Sequence, residues 1–325
     1  MPDTDLFTEA LMKQVRLLLE SVWENRVDLR DVGEWLEQFA DSADPARSER
    51  LQALFLLSQF MYFGAFEVRA LLRALYRDHV QYPVIERTRR ANGDTADRAF
   101  INAALADELA VTRFVGLGNP SESSSHLLYY FRQENRLAKP LFIGPDQIFH
   151  FARHDGGFIQ VIRDDAIRRY FLIDDLCGSG KQVEEYAMNI AVPLKELGAK
   201  ADLEIEVSYL ALIGTRDGMT HVQDMGCFDR VECVVELDPS FKCFDEKSRY
   251  YANEQPPISR EFAEAMCQRL GEKLYPKHPL GYEDGQLLLA FSHNTPDNTL
   301  PIFSFDEPDG PAWTPIFKRY AKVEG

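Results

Sequence analysis

A short segment in the middle of the chain places two carboxylates directly before a glycine-containing turn. Asp174 and Asp175 follow the apolar run at 170–173, and a predicted amphipathic helix follows the turn. The turn and the start of that helix contain Gly178, Ser179, Gly180, Lys181 and Gln182. Glycine lets the backbone approach a ligand closely, and the N–H groups at the start of a helix favour negative charge. The pattern therefore predicts a phosphate-binding loop.

The two carboxylates need a cation or a hydroxyl partner, because they would otherwise repel the bound phosphate. A divalent cation or the hydroxyls of a ribose meet that requirement. We therefore predict that Asp174 and Asp175 are the catalytic pair and hold Mg²⁺, directly or through water or ribose hydroxyls. The alternative is a plain strand-to-helix turn in which Asp174 is a solvated cap. An unpartnered acidic pair at the end of an apolar strand is costly, which favours the ligand site.

The same residues exclude one common phosphate loop. A P-loop requires a glycine five positions before Gly180 and a Ser or Thr directly after its lysine. The chain has Asp175 and Gln182 at those two positions. The hydroxyl that holds the metal ion of a bound nucleotide in a P-loop is therefore missing.

The elements around this segment alternate between strands and helices, which is typical of an α/β fold with a parallel sheet. Predicted strands of that sheet lie at 111–117, 168–174, 203–214, 231–237 and 286–293. Predicted helices lie at 125–134, 181–197 and 259–274. Ligands of an open parallel sheet bind beyond the carboxyl ends of the strands, which is where the acidic pair lies.

The first 80 residues instead predict helices alone. Apolar residues recur at spacings of three and four over 7–22 and 32–39, which predicts two amphipathic helices. Capping, glycine and proline signals predict two more, over 46–63 and from 66 to about 80, with Pro83 ending the second. A polar stretch near residue 95 contains an Asn-Gly turn signal. We therefore predict a small all-helical domain over residues 1–95 and an α/β domain over residues 96–325.

Composition limits the class of protein. The chain has 325 residues, 45% of them hydrophobic, and a formal net charge of −16. A chain of this length and composition can bury a large core, but its negative net charge disfavours a surface whose main partner is a polyanion. No 18-residue stretch is continuously apolar and the first ten residues are acidic, so we expect no membrane span and no signal peptide. The five cysteines form no C-x-x-C pair, so we expect reduced thiols in a cytoplasmic protein.

The central segment resembles loops of two enzyme families, and the first is the S-adenosylmethionine-dependent amino-methyltransferases. The spacing Asp174-x-x-x-Gly178-x-Gly180 resembles their cofactor loop, and the sequence at 238–241 is similar to their catalytic Asp-Pro-Pro-Tyr. Ser240 breaks that second motif. A methyltransferase stays open as an alternative.

The second resemblance, which we favour, is to the ribose-phosphate signature of type I phosphoribosyltransferases. In that signature an apolar strand, an acidic pair and small hydroxyl-bearing residues follow one another, and the chain departs from it at Cys177, Gly178 and Gln182. The resemblance implies that the acidic pair contacts the ribose hydroxyls of phosphoribosyl pyrophosphate (PRPP) and that the loop amides bind its 5′-phosphate. It also implies Mg²⁺ as cofactor and a type I phosphoribosyltransferase-like fold for the α/β domain.

The loop after the first predicted strand lies where type I enzymes bind pyrophosphate. Its residues with exposed amides or hydroxyls are Gly118, Asn119, Ser121 and Ser123, and the segment 118–125 contains no lysine or arginine. Small polar residues with exposed amides can bind an anion. The alternative is an Asn-Pro turn followed by a serine-rich helix cap.

A stiff polar loop late in the chain offers amide and hydroxyl groups to a base or an acceptor. Its residues are Asn294, Thr295 and Asn298, close to Pro296. Such side chains can form hydrogen bonds with the edge of a base or a ribose. The alternative is a hydrogen-bonded loop that fixes the C-terminal segment.

Over residues 70–319 the chain resembles the phosphoribosyltransferase-like effectors of prokaryotic conflict systems, some of which are associated with retrons. The motifs that carry this resemblance are the central segment, residues 75–77 with Pro83, the loop at 118–120 and the segment at 291–301. It implies an antiviral effector that binds PRPP or a ribose-5-phosphate nucleotide, with phosphoribosyl transfer or a related glycosyl-transfer or nucleotide-cleaving activity.

An alternative from a different class is a catalytically inactive nucleotide-sensing module. Its helical domain would contact a partner, such as a reverse transcriptase with its retron RNA–DNA or another defence protein. Both hypotheses are compatible with an oligomer.

Overall fold

A computed structural model of the chain describes residues 4–117, 123–306 and 312–319. The chain forms two compact units: unit 1 combines residues 1–68 with 237–325, and unit 2 is formed by residues 69–236. The helices, in chain order, are α1 (Thr4–Ser21), α2 (Leu29–Leu36), α3 (Glu49–Ser58), α4 (Ala65–Tyr76), α5 (Tyr82–Ala91), α6 (Arg98–Ala110), α7 (Ser123–Glu134), α8 (Lys181–Tyr186), α9 (Val192–Lys200), α10 (Arg216–Asp224), α11 (Arg260–Leu274) and α12 (Pro301–Ser304). The strands are β1 (Met61–Phe63), β2 (Thr112–Gly116), β3 (Phe142–Ile143), β4 (Phe149–His154), β5 (Gly157–Ile162), β6 (Arg169–Cys177), β7 (Glu206–Thr215), β8 (Arg230–Leu237) and β9 (Leu289–Phe291).

Unit 2 contains the sheet that the alternating pattern predicts. Its five strands lie in the order β3-β2-β6-β7-β8, and the pairs β3–β2, β2–β6 and β6–β7 are parallel. The apolar runs of β6 and β7 are buried almost throughout, as expected for central strands covered on both faces. Four of the five predicted strands are thereby confirmed in this sheet.

The fifth predicted strand lies elsewhere. β9 is shorter than the predicted 286–293, and it pairs in parallel with β1 in a separate two-stranded sheet, with Met61 opposite Leu289. Its assignment to the main sheet is therefore wrong. The predicted helix over 46–63 is wrong at its end as well, because α3 stops at Ser58 and β1 follows.

Residues near the C-terminal end of the chain, among them Ile302, Phe303 and Phe317, also complete the core of unit 1. The Trp35 ring stacks on Phe303 at 5.1 Å between centroids, and its Nε1 donates to the Ile302 carbonyl at 2.9 Å. The Trp23 ring meets Phe317 edge-on at 5.1 Å. The two units therefore divide differently from the boundary predicted at residue 95, since residues from both ends of the chain share one hydrophobic core.

The predicted turn near residue 95 lies within unit 2, between α5 and α6. Gly93 and Asp94 have φ of +62° and +56°, and Asp97 caps α6 through bonds from the N–H groups of Ala99 and Phe100. This turn is confirmed, but it separates two neighbouring helices of one unit rather than two domains.

Pro83 does not end a helix, contrary to the prediction. A π-helical turn at Arg77–Gln81 joins α4 to α5, and the Tyr82 N–H donates to the Arg77 carbonyl. The wider turn ends two residues before Pro83, which has no N–H to donate. A second π-helical turn, Ala187–Ala191, precedes Pro193 at the start of α9 in the same way.

No helix within the described residues is long and apolar enough to cross a membrane.

Candidate functional site

The acidic pair lies inside β6, which is longer than the predicted strand and continues to Cys177. On one side β2 ends with Gly116 opposite Ile173, so it stops just before the pair. On the other side Asp174 is opposite Ala211 of β7. The acidic pair therefore extends past the carboxyl end of a neighbouring strand, which is the predicted position for a ligand site in a parallel sheet.

Asp174 is partly buried and accepts two hydrogen bonds. The buried Tyr209 hydroxyl donates to Oδ2 at 3.1 Å, and the Asp175 N–H donates to Oδ1 at 2.9 Å. Burial and then the negative charge of Asp175 raise the pKa of Asp174, while the two hydrogen bonds lower it by less. The folded chain thus favours the protonated carboxyl, and a nearby cation would favour the ionised form.

The loop after β6 is braced by the start of α10. Gly180 has a φ of +76°, and a Cβ there would lie 2.8 Å from the Gly218 carbonyl oxygen. A Cβ on Gly218 would in turn clash with the carbonyl of Gly178. The Thr215 hydroxyl donates to that Gly178 carbonyl at 2.5 Å and accepts from the Gly218 N–H at 3.0 Å. These contacts hold the loop against the neighbouring helix.

The other predicted loop residues lie towards the surface. Ser179 is partly exposed, and its Oγ accepts a hydrogen bond from the Lys181 N–H at 3.4 Å. Lys181 and Gln182 are exposed, and the Gln182 amide donates to the Tyr186 hydroxyl at 3.3 Å. The structure therefore brings the five residues of the predicted loop together, next to the acidic pair.

A carboxylate–imidazole pair adjoins this loop. His221 Nε2 lies 2.7 Å from Glu184 Oε1, and a Cβ on Gly180 would lie 3.0 Å from the His221 ring. Sequence reasoning missed this pair, because 37 residues separate its members. It also missed Tyr209, which reads as one more apolar residue of a central strand.

The acidic pair fits Mg²⁺ better than it fits a metal that needs a full protein cage. Within residues 4–117, 123–306 and 312–319 there is no group of three or more His, Cys, Asp or Glu residues that could hold a metal ion. Mg²⁺ is commonly bound by one or two carboxylates, with water and phosphate oxygens as the remaining ligands. The repulsion between Asp174 and Asp175, which contributes to the raised pKa, is what a divalent cation would relieve.

The predicted pyrophosphate loop is only partly covered by the structure. Gly118, Asn119 and Ser121 lie outside the described residues, and Ser123 is the first residue of α7. Its role stays a prediction.

The late polar loop lies in unit 1, whereas the acidic pair lies in unit 2. The Thr295 hydroxyl donates to the Phe317 carbonyl at 2.9 Å, and the Asn298 amide donates to the Tyr282 carbonyl at 3.0 Å. Both side chains are buried. These bonds favour the alternative of a loop that fixes the C-terminal segment, while Asn294 lines a cavity.

Sequence reasoning also missed the hairpin of β4 and β5 in unit 2. The two strands pair from Phe149 opposite Ile162 to His154 opposite Gly157. Asp155 and Gly156 form the turn, with φ of +44° and +82°. An Asp-Gly pair between two short apolar runs is a strong hairpin signal, so this element could have been predicted.

Comparison with known proteins gives one family and several similar structures. A profile of the PRTase-CE family matches residues 32–319, which includes the acidic pair and the loop. A comparison with curated proteins finds no significant match.

The similar solved structures include three phosphoribosyltransferases. The orotate enzyme from Aeropyrum pernix is 18% identical over 43% of this chain and 73% of that chain, with a TM-score of 0.23. The adenine enzyme from Thermoanaerobacter pseudethanolicus is 11% identical over 42% and 82%, with a TM-score of 0.22. The hypoxanthine enzyme from Trypanosoma cruzi, in complex with its product IMP, is 11% identical over 56% and 78%, with a TM-score of 0.26. The family is assigned by the profile match, which covers more than half of the chain.

Proposed function

The chain belongs to the PRTase-CE family, and on that premise we propose that unit 2 binds the ribose 5-phosphate group of PRPP or of a nucleotide, together with Mg²⁺. The observation that carries the proposal is the partly buried Asp174–Asp175 pair, which lies near the end of β6, shortly before a loop braced by α10. A carboxylate pair and a set of backbone amides at one end of a parallel sheet suit a ligand with both hydroxyl and phosphate groups.

The residues divide into two roles. Asp174 and Asp175 accept hydrogen bonds from the ribose hydroxyls or hold Mg²⁺, and this places their negative charge beside the sugar. The N–H groups of residues 178–182 and the Ser179 hydroxyl hold the 5′-phosphate, and the Lys181 ammonium adds positive charge. Bound Mg²⁺ would supply charge neutralisation for the phosphate groups.

In a transfer reaction, the bond between the anomeric carbon and the leaving group breaks and positive charge develops on the ribose ring. Ionised Asp174 and Asp175 lie on the side of the sugar where they stabilise that charge, and the phosphate loop fixes the position of the ring. We assign a pyrophosphate leaving group to the loop that contains Gly118, Asn119, Ser121 and Ser123. The chain then contributes positioning and charge stabilisation more than acid–base chemistry.

A second candidate is nucleotide binding without turnover. The observation that favours it is the absence of lysine and arginine from residues 118–125, since pyrophosphate release normally draws on positive charge. In either form, we propose a role as an effector or a sensor in prokaryotic antiviral defence. The family assignment favours both candidates over the methyltransferase alternative.

Calorimetric titration of the full chain tests the proposed ligand class. The ligands are PRPP with Mg²⁺, nucleoside monophosphates with Mg²⁺, and S-adenosylmethionine. We expect a phosphoribosyl compound to bind, and the double variant Asp174→Asn/Asp175→Asn to bind it at least tenfold more weakly.

The chain offers a matched control for that double variant. Asp164 and Asp165 form a second adjacent acidic pair, which is exposed and precedes β6. Asp164→Asn/Asp165→Asn makes the same change in charge and should bind like the wild type. Tight binding of S-adenosylmethionine with no binding of any phosphoribosyl compound would refute the ligand class, and equal binding by the two double variants would refute the residue assignment.

Turnover separates the two candidates. Incubation of PRPP or of a nucleotide with the protein and Mg²⁺, followed by chromatography, detects release of pyrophosphate or of free base. Release that the Asp174→Asn/Asp175→Asn variant lacks supports an enzyme, and binding with no release supports the sensor.

A further inference from the structure

Unit 1 contains a cavity that none of the proposed functions uses. Its volume is about 250 Å³. Its walls come from α2, from Tyr62 of β1, from the end of β9 with the residues after it, and from the segment 314–318. The size is slightly below the roughly 300–1,000 Å³ that is typical of sites for drug-sized ligands, so it suits a small molecule.

Tyr62 is the polar anchor of this cavity. The side chain is only 6% exposed, and its ring packs on Phe317 at 5.6 Å between centroids. The Tyr62 side chain lines the cavity, and its hydroxyl forms no hydrogen bond with another residue that the structure describes. The hydroxyl is therefore a donor that is available to a molecule in the cavity. Because β1 and the packed ring hold the side chain in place, a ligand can accept this hydrogen bond without rearrangement of the core.

Arg26 provides a positive charge beside this hydroxyl. It lines the cavity, and its charge acts on Tyr62, where it opposes the effect of burial on the pKa. No ion pair of the Arg26 guanidinium is found within the described part of the chain. Glu24 and Glu67 act on the Tyr62 hydroxyl with the opposite sign. The Glu24 carboxylate accepts the N–H of Ala65 at 3.0 Å at the start of α4.

The other charged groups of the cavity wall each contact another group of the chain. Asp31 accepts the N–H of Asp28 at 2.8 Å, Glu34 pairs with Arg30 at 3.8 Å, and Lys318 pairs with Asp306 at 2.6 Å. Asp31 and Glu34 keep their negative charges, which disfavour an anion on the α2 side of the cavity. The Arg26 guanidinium has no carboxylate partner among the described residues, so it favours an anion at its own side.

The rest of the wall suits an apolar or flat ligand body. The His293 ring stacks on Phe291, with centroids 5.1 Å apart and planes 17° apart. Val27, Pro315 and Ile316 add apolar surface. A ligand that combines one anionic group with a small apolar body would therefore meet a complementary group on each side.

We propose that this cavity binds a small organic anion. Its phosphate or carboxylate group is held by the Arg26 guanidinium and the Tyr62 hydroxyl, and its body packs against the stacked rings of Phe291 and His293. The site lies in unit 1, so it is a second ligand site beside the one proposed at Asp174 in unit 2.

Calorimetric titration without Mg²⁺ tests this site, with the full chain carrying Asp174→Asn/Asp175→Asn so that the proposed site in unit 2 is disabled. The anionic probes are inorganic phosphate, phenyl phosphate, AMP and benzoate, which separate the two head groups. The neutral probes are phenol and adenosine. We expect at least one organic anion to bind, and its neutral counterpart to bind at least tenfold more weakly.

Two variants test the assigned residues. Arg26→Gln should weaken binding of that anion about tenfold or more, and Tyr62→Phe should weaken it about threefold to tenfold, because each loses a hydrogen bond to a charged group. Arg16→Gln and Tyr82→Phe make the same changes at exposed positions outside the cavity and should leave the affinity unchanged. Tyr62→Phe keeps the packed ring, so the folded core is retained.

Failure of all four anions to bind would overturn the proposal. Binding that is equal in the starting protein, Arg26→Gln and Tyr62→Phe would overturn it as well. Neither result bears on PRPP binding at Asp174, which is measured separately on the wild type with Mg²⁺.

Discussion

Substitution of Asp174 by asparagine should remove a loss of stability that the wild type suffers as pH rises. Burial and then the charge of Asp175 raise the pKa of Asp174 to about 8 in the folded chain, whereas the pKa of an aspartate in an unfolded chain is about 3.9. Between these values the folded state holds a proton that the unfolded state has lost, so the free energy of unfolding falls with rising pH. Asparagine has no proton to lose and still accepts the hydrogen bond from Tyr209.

A difference of one whole proton corresponds to about 1.4 kcal/mol per pH unit. Asp174 is partly exposed and titrates together with Asp175, so we expect about half of this slope to the whole of it. Between pH 5 and pH 7 the free energy of unfolding of Asp174→Asn should therefore rise, relative to that of the wild type, by about 1.5 to 3 kcal/mol.

Urea unfolding followed by circular dichroism at pH 5, 6 and 7, without Mg²⁺, measures this change. The quantity to compare is the free energy of unfolding of the variant minus that of the wild type at each pH, which cancels the titration of the groups outside the acidic pair. Asp164→Asn, at an exposed position before β6, is the control and should show a flat difference. A difference for Asp174→Asn that is equal at pH 5 and pH 7, or that moves in favour of the wild type, would refute the reasoning.

Three further substitutions test contacts inside the units, two in unit 2 and one in unit 1. In thermal unfolding, Gly180→Ala should destabilise the chain by about 1–3 kcal/mol, because its Cβ meets the backbone of α10. The control Gly93→Ala has a similar φ but open space around the new Cβ, so it should cost less. Thr215→Val should cost about 1–2 kcal/mol and weaken PRPP binding, because it removes the α10 cap and the bond to Gly178; Thr215→Ser should restore both. Gln52→Leu should cost about 2–3 kcal/mol in urea unfolding, since two backbone groups that bond to this buried amide lose their partner.

The position of the acidic pair could be predicted because the signals for it are local. An apolar strand, two carboxylates and a glycine turn occupy one short segment, and β6 with its loop forms there, although the strand continues past the pair to Cys177. The environment of Asp174 could not be predicted in the same way. Tyr209 lies 35 residues further along the chain, and only the order of the strands brings its hydroxyl to the carboxylate. Local patterns determine the elements, while sheet order determines which side chains meet.

The division into units could not be predicted from the sequence, for a related reason. β1 has three residues, too few to show a period of two, and it follows a helix without a break in apolar composition. Its partner β9 lies more than two hundred residues away, at Leu289 opposite Met61. The polar junction near residue 95 was the strongest local break, but a break in composition marks a surface turn as readily as a domain boundary.

The two glycines of the loop show how one pattern can have two physical causes. A glycine predicts close approach of a ligand only where nothing else occupies the space of its missing Cβ. At Gly180 that space is taken by the Gly218 carbonyl, and the Gly178 carbonyl lies against Gly218 in the same way. Packing alone is therefore sufficient to require glycine at 180. The argument for a phosphate site consequently depends on the acidic pair and on the amides that the braced loop leaves near it, and the Asp174→Asn/Asp175→Asn titration is a sharper test of ligand binding than any glycine substitution.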